Sequence, residues 1–166
     1  MSEQDRRGTL AIDFDGVLHR YSQGWHDGTI YDPPVPGSVE AMTTLARRYA
    51  LFVHTTRDPE MTAAWLVRHY PLGFVVEKLR PDDGVMVRVG FGRDPNGQVE
   101  AHVLDALPEP VRFWDSRVRV LVTDRKLPAL AYIDDRAIRF VHWRQTLMAV
   151  DNLATHGEPV RPPATR

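Results

Sequence analysis

Residues 11–19 read AIDFDGVLH, so two carboxylates, Asp13 and Asp15, stand two apart at the end of an apolar run. A second pair, Asp134 and Asp135, follows another apolar run, ALAYI. Carboxylates gathered at one place repel one another. A hard divalent cation such as magnesium, which takes oxygen ligands, relieves the repulsion and keeps positions open for a phosphate. A carboxylate facing a metal-bound phosphorus can serve as nucleophile, and a second one two residues on can protonate the leaving oxygen. The two roles need different surroundings: Asp13 has to stay ionised, beside the cation and a lysine, whereas Asp15 has to carry a proton when the leaving group departs.

The elements that would position these groups can be read from apolar spacing. Thr9 to Ile12 suits a short buried strand that presents the carboxylates at its C-terminal end. Residues 16–37 are rich in Gly, Pro, Tyr and Trp without a helical period, and read as a loop or small flap. Ser38 is an N-cap candidate for a helix to about Tyr49, with Val39, Met42, Leu45 and Ala46 on one face. ALFVH, residues 50–54, is a second strand, and Thr55-Thr56-Arg57 leads to a helix with Asp58 as N-cap and Pro59 at its first position. On that helix Met61, Ala64, Trp65 and Arg68 mark one side, and Pro71 is the stop. Phe74 to Val76 is a third strand.

Alternation on both sides of Asp94-Pro95-Asn96-Gly97 predicts a hairpin, within an insertion of about residues 79–117. VRVLV (118–122) and ALAYI (129–133) return to buried-strand composition, the basic run from Arg112 to Lys126 reads as a mixed sheet edge, and a last helix runs from beyond His142 to about Asn152. Alternating strands and helices predict an α/β fold, a mainly parallel sheet covered on both faces, in which ligands gather at the carboxyl ends of the strands. Asp13 and Asp15, Thr55 and Thr56, and Asp134 and Asp135 all fall at such ends.

The chain has 166 residues, a length that suits one domain with a core of about residues 9–152 and a frayed tail from 157. Its formal net charge of −1 gives no global pull toward nucleic acid or an acidic membrane. Without cysteine it can form neither a disulfide nor a Cys-ligated zinc site. No apolar run is long enough to span a bilayer, and the polar start MSEQDRRG lacks the apolar centre of a signal peptide, so the expected location is the cytoplasm.

DFDGVL resembles the first motif of the haloacid dehalogenase superfamily of phosphohydrolases. VHTTR resembles the second, with its strand-terminal Thr, and TDRKLPALAYIDDRA resembles the lysine and paired-aspartate motifs, so the likeness runs from about Thr9 to Trp143. It implies a Rossmann-like three-layer sandwich and a magnesium-dependent phosphatase. By that resemblance Asp13 is the nucleophile that forms an aspartyl phosphate, Asp15 the acid and base, Thr55 a phosphoryl contact and Lys126 the cation that neutralises charge. Asp13, the main-chain carbonyl of Asp15, and Asp134 hold magnesium, with Asp135 a ligand through water. Gly16, Thr56 and Arg57 stand where substrate contacts fall. Val17 replaces the Thr of many members, and Lys126 is followed by Leu127-Pro128 rather than directly by Pro, which leaves Arg125 as a rival cation. The carboxylate at Asp15 favours phosphoryl transfer over dehalogenation.

The segments outside these motifs are too short for a full cap domain, so the expected enzyme is capless or minimally capped, acting by default on a small phosphomonoester. Trp25, His26 and Tyr31 of the flap are candidates to touch the leaving group. An open site also suits a phosphatase of nucleic-acid ends, and a non-catalytic module that binds metal or a partner is the third reading; oligomerisation is left open. Blander readings stand beside these. A DxDG alone can be a solvated turn or a calcium-like loop, Arg57 reads first as a surface ion pair, and His26 as a solvated histidine. Trp65, Trp114 and Trp143 read as core or interface, and the glycines of GFGRDPNG belong to a hairpin.

Overall fold

The computed structural model describes residues 8–104 and 119–156. The chain divides after Ile133, and residues 134 onward form a second unit. The first unit is built on one seven-stranded sheet. Its strands are β1 (Thr9–Asp13), β2 (Ala50–His54), β3 (Phe74–Leu79), β4 (Met86–Arg93), β5 (Val99–Leu104), β6 (Val120–Thr123) and β7 (Ala131–Ile133). They lie side by side in the order β5-β4-β3-β6-β2-β1-β7. From β3 to β7 every neighbour is parallel, and β3-β4-β5 is an antiparallel meander.

Two expectations change here. The hairpin is present, closed by Asp94, whose carboxylate accepts the N–H groups of Asn96 and Gln98, with Gly97 at φ +81°. It extends the main sheet, because β4 pairs along the whole of β3 and β5 along β4; the later part of the expected insertion, 105–117, lies outside the described residues. The run ending in Lys126 is no sheet edge over its described part: β6 lies between β3 and β2 with all four residues buried. Its earlier residues, with Trp114, lie outside the described residues.

Period-two alternation sorts the strands into two faces. Ile12, Leu51, Val53, Phe74, Val76, Val120 and Val122 join the larger core with Met42 of α1 (Ser38–Ala46) and Trp65 and Leu66 of α2 (Pro59–His69). Ala11, Phe52, Val75 and Leu121 face the other way into a smaller cluster with Tyr132 and Leu127. Both helices of this unit therefore serve one face, and among its described residues no helix covers the other. The architecture is α/β with a mostly parallel sheet.

Asp58 caps α2 as its spacing predicts, accepting the Met61 N–H at 2.7 Å with Pro59 behind it. The buried side of α2 is Thr62, Ala63, Trp65, Leu66 and Val67; Met61 and Arg68 are exposed, so the expected face was rotated. Thr62 can face the core because its hydroxyl donates to the Asp58 carbonyl. Ser38 is no cap either. Gly37, at φ +82°, takes that place, and the buried Ser38 hydroxyl pairs with the Tyr70 hydroxyl at 2.7 Å.

In the second unit α3 (Trp143–His156) starts at His142, whose ring Nδ1 accepts the Gln145 N–H. Trp143 is 70% exposed and is not a core residue. Among the described residues no helix is long and apolar enough to cross a membrane.

Candidate active site

The parallel register lines up the carboxyl ends of the strands. Asp13 stands opposite His54, His54 opposite Thr123, and Ile12 opposite Ile133, the last residue before Asp134. The Phe14 N–H donates to Asp13 Oδ1 at 2.8 Å, which fixes the carboxylate as the chain leaves β1.

The chain then turns on itself. The N–H groups of Leu18 and His19 both donate to the Phe14 carbonyl, and the Gly16 N–H donates to the His19 carbonyl. Gly16 sits at φ +85°, a conformation that a side chain would strain. This tight turn brings Asp15 against His19, four residues on, with Asp15 Oδ1 at 2.8 Å from His19 Nδ1.

Asp15 has a second partner from the end of β2. Arg57 Nε donates to both carboxylate oxygens, at 3.0 Å to Oδ1 and 2.8 Å to Oδ2. Its side chain is 1% exposed, so Arg57 is not the surface ion pair that its type and position suggest. The flap buries it. The Trp25 ring lies 4.7 Å and the Tyr21 ring 5.7 Å from the guanidinium carbon, and Nη1 donates to the Gly28 carbonyl. Nη2 is buried without a hydrogen-bond partner. Burial of an arginine next to one carboxylate is costly, and three aromatic or carbonyl contacts from residues 21–28 offset part of that cost.

His19 is fully buried. Its ring stacks on Phe14, with Trp65 and Tyr31 edge-on, and its Nε2 accepts the Asp32 N–H at 3.0 Å. The flap is thus a knitted loop and not an irregular one. Ser22 N–H donates to Asp32 Oδ2, the Tyr31 hydroxyl donates to the Gly24 carbonyl, and the Gln23 N–H donates to the Tyr31 oxygen. Burial pushes the Tyr31 phenol up. Hydrogen bonds from Thr29, and then His26, hold the Asp27 carboxyl far below the usual range. Trp25 spends one face on Arg57 and remains half exposed, and His26 is exposed with φ +49°.

Thr55 is buried, its N–H donates to the Thr123 carbonyl, and its hydroxyl oxygen accepts the Arg57 N–H. Thr56 next to it is exposed. Thr123 repeats the turn, with its hydroxyl accepting the Arg125 N–H. The two candidate cations beyond β6 then part. Arg125 reaches outward to Glu77 on β3 at 2.8 Å. Lys126 lies with Nζ 5.3 Å over the ring of Tyr132, whose partner across the sheet is Ala11. Tyr132 and Ala11 share one face, and Asp13, two residues beyond Ala11, shares it too. Glu77, two residues beyond Val75, falls on that face as well, so the two cations part along the sheet: Lys126 lies toward β7, the neighbour of β1, and Arg125 toward β3. A cleft of about 210 Å³ opens between Pro59, Glu77, Met86 and Arg125, two to four strands from Asp13.

In the second unit Asp134 and Asp135 are both exposed, and the Arg136 N–H donates to Asp134 Oδ1 at 2.7 Å.

Spacing alone passed over His19 and the Asp15–Arg57 pair. The sequence does carry a signal for each: a glycine directly after Asp15 with a histidine four residues on, and an arginine between a strand-terminal Thr and the Asp58-Pro59 helix start. Comparison with protein-family models, curated proteins and solved structures finds no match to this chain.

Proposed function

We propose that the chain is a magnesium-dependent phosphohydrolase that cleaves a phosphomonoester through an aspartyl phosphate on Asp13. The observation that carries this reading is the register: Asp13, Thr55 and the residues after Thr123 leave neighbouring parallel strands at one edge, with Lys126 on the face of Asp13. The likeness of the same residues to haloacid dehalogenase motifs points the same way.

The donor set fits a hard divalent cation, being carboxylate and carbonyl oxygen throughout. By the likeness to those motifs, Asp13, the Asp15 carbonyl and Asp134 would hold it, with Asp135 through water. When bound, magnesium would offset charge on the phosphoryl oxygens. Asp13 supplies the attacking oxygen, and the Phe14 N–H, donating to Oδ1, restrains the carboxylate at the end of β1. Thr55 can donate its hydroxyl proton to a phosphoryl oxygen while its own oxygen accepts from Arg57. Lys126 supplies charge without a competing carboxylate among its described contacts. Asp15 protonates the leaving oxygen and afterwards takes a proton from the attacking water. Arg57 acts through Asp15 by anchoring it.

Phosphate release from nucleotides, sugar phosphates, alkyl and aryl phosphates and phosphorylated DNA ends, with and without magnesium, tests the reading. Turnover that needs magnesium and disappears in Asp13→Asn is expected. A wild-type chain silent on every ester, or an active Asp13→Asn chain, would overturn it.

A further inference from the structure

Resting on the phosphohydrolase reading, we propose that His19 is a positioning residue: it selects which oxygen of Asp15 handles the proton and ties that choice to the folded flap. The hydrogen bonds define its tautomer. A backbone N–H can only donate, so the Asp32 N–H at 3.0 Å makes Nε2 an acceptor with no proton of its own. The ring proton must then sit on Nδ1, from which it is donated to Asp15 Oδ1 at 2.8 Å.

Both nitrogens are spent, and the ring has no exposed surface through which to bind metal or substrate. It cannot turn either. Phe14 lies 15° from parallel with it at 5.5 Å, while Trp65 at 5.7 Å and Tyr31 at 5.2 Å close the edges. What such a ring can do is orient its neighbour.

Arg57 alone would leave Asp15 ambiguous, because one Nε–H faces both oxygens at nearly equal distance, 3.0 and 2.8 Å. His19 breaks the tie. Oδ1 receives two donors and Oδ2 one, so Oδ2 keeps the freer lone pair. In the first half-reaction the Asp13–P bond forms, the ester P–O bond breaks, and the proton on Oδ2 passes to the leaving oxygen. In the second, water oxygen bonds to phosphorus, the Asp13–P bond breaks, and Oδ2 regains a proton from the water. Because the acceptor that fixes the tautomer reads the Asp32 N–H, the selection is made in the folded flap.

Two substitutions separate the two hydrogen bonds. His19→Asn places an amide where Nδ1 stood and can still donate to Asp15; His19→Gln places an oxygen where Nε2 stood and can still accept from Asp32, but gives Asp15 nothing. Kinetics of the full-length chain with magnesium on an alkyl phosphate and on p-nitrophenyl phosphate, beside wild type and Asp13→Asn, read them out. His19→Gln is expected to lose about 100-fold in kcat on the alkyl ester, at the low end for a misaligned acid, with KM little changed. On the aryl ester, whose leaving group needs little protonation, the loss should be small, and His19→Asn should stay near wild type on both.

Equal losses on the two esters, or His19→Asn as poor as His19→Gln, would overturn the proposal while magnesium-dependent, Asp13-dependent turnover left the phosphohydrolase reading standing. A silent wild type would instead overturn both. Should a variant fail to fold, the nitrogen shifts of His19 in the wild-type chain decide: Nδ1–H is expected, and a proton on Nε2 would sink the proposal.

Discussion

β2 and β6 lie side by side and end alike. Thr55-Thr56-Arg57 and Thr123-Asp124-Arg125 each fold so that the threonine hydroxyl accepts the N–H of the arginine two residues on. The two arginines have opposite fates. Arg57 is 1% exposed and locked to Asp15, while Arg125 is 51% exposed against Glu77. The local motif sets where each arginine starts, but the partner segment decides what it becomes. Residues 21–28 lie over Arg57, and Arg125 opens onto a cleft. One arginine is thereby part of a site, and the other is part of a surface.

The sharpest way to break this pairing is to remove the buried member. Arg57→Met leaves the Gly28 carbonyl without its donor, and the Asp15 carboxylate with His19 alone and no opposing charge, in a covered place. A loss of about 3–5 kcal/mol is expected, the range for breaking a buried ion pair from one side. Urea unfolding followed by fluorescence measures it. A loss below about 1 kcal/mol would mean that Asp15 finds water as readily as Arg125 does, and that the flap does not shield it.

A gentler test loosens the stem that holds the flap over Arg57. Tyr70 is buried behind both ends of it, with its hydroxyl 2.7 Å from the Ser38 hydroxyl and 3.3 Å from the Leu18 carbonyl. Burial pushes this phenol up, against the opposing hydrogen bond with Ser38. Tyr70→Phe keeps the ring and strands the Ser38 hydroxyl, which should cost about 1–2 kcal/mol. Tryptic cleavage in the flap, at Arg20, should quicken, while cleavage at Arg125 should not. Equal change at both sites would point to global unfolding instead of a released stem.

Much of this was legible in the chain. Apolar runs marked β1, β2 and β6 closely, because buried parallel strands must be apolar throughout; the run ALAYI marked β7 as well, but not as the buried strand its composition suggests, since β7 is the edge of the sheet with Ala131 and Ile133 exposed. Asp58-Pro59 announced α2. The face of α2 was not legible, since a fully buried Thr62 looks like a solvent residue until its hydroxyl finds the Asp58 carbonyl. The hairpin was read from Asn96-Gly97, but its attachment to β3 depends on long-range pairing that turn residues do not encode. The strand-end residues of the site were visible for the same reason as the strands. The link from Arg57 to Asp15 spans 42 positions and passes under an aromatic flap, so no spacing rule reaches it.

The surface member of the pair should tolerate loss. Arg125→Met removes one half-exposed ion pair, and Glu77, only 6% exposed, keeps its contact with Arg88. The expected cost is about 0–1 kcal/mol, as for exposed pairs. Combined with Arg57→Met, the two losses should add within about 0.5 kcal/mol, since the residues share no partner among the contacts described. A larger coupling would mean that the two strand ends act as one unit.

The smallest effect comes from acid, and it should fall on the Arg57 side alone. Asp32 lends its N–H to His19, and its carboxylate accepts the Ser22 N–H. Burial works to raise this carboxyl, but the Ser22 hydrogen bonds outweigh it, with help from nearby positive charge, and hold it below its ordinary 3.8. A depressed carboxylate stabilises the folded chain at any pH above the ordinary value. As pH falls from there toward the lowered value, the unfolded chain takes up the proton first and the stabilisation drains away. Asp32→Asn should therefore lower the urea midpoint at pH 6, and the gap to wild type should shrink by pH 3. A gap that stays constant between those pH values would show that the carboxylate adds nothing and that the flap is held by its backbone hydrogen bonds and aromatic packing alone.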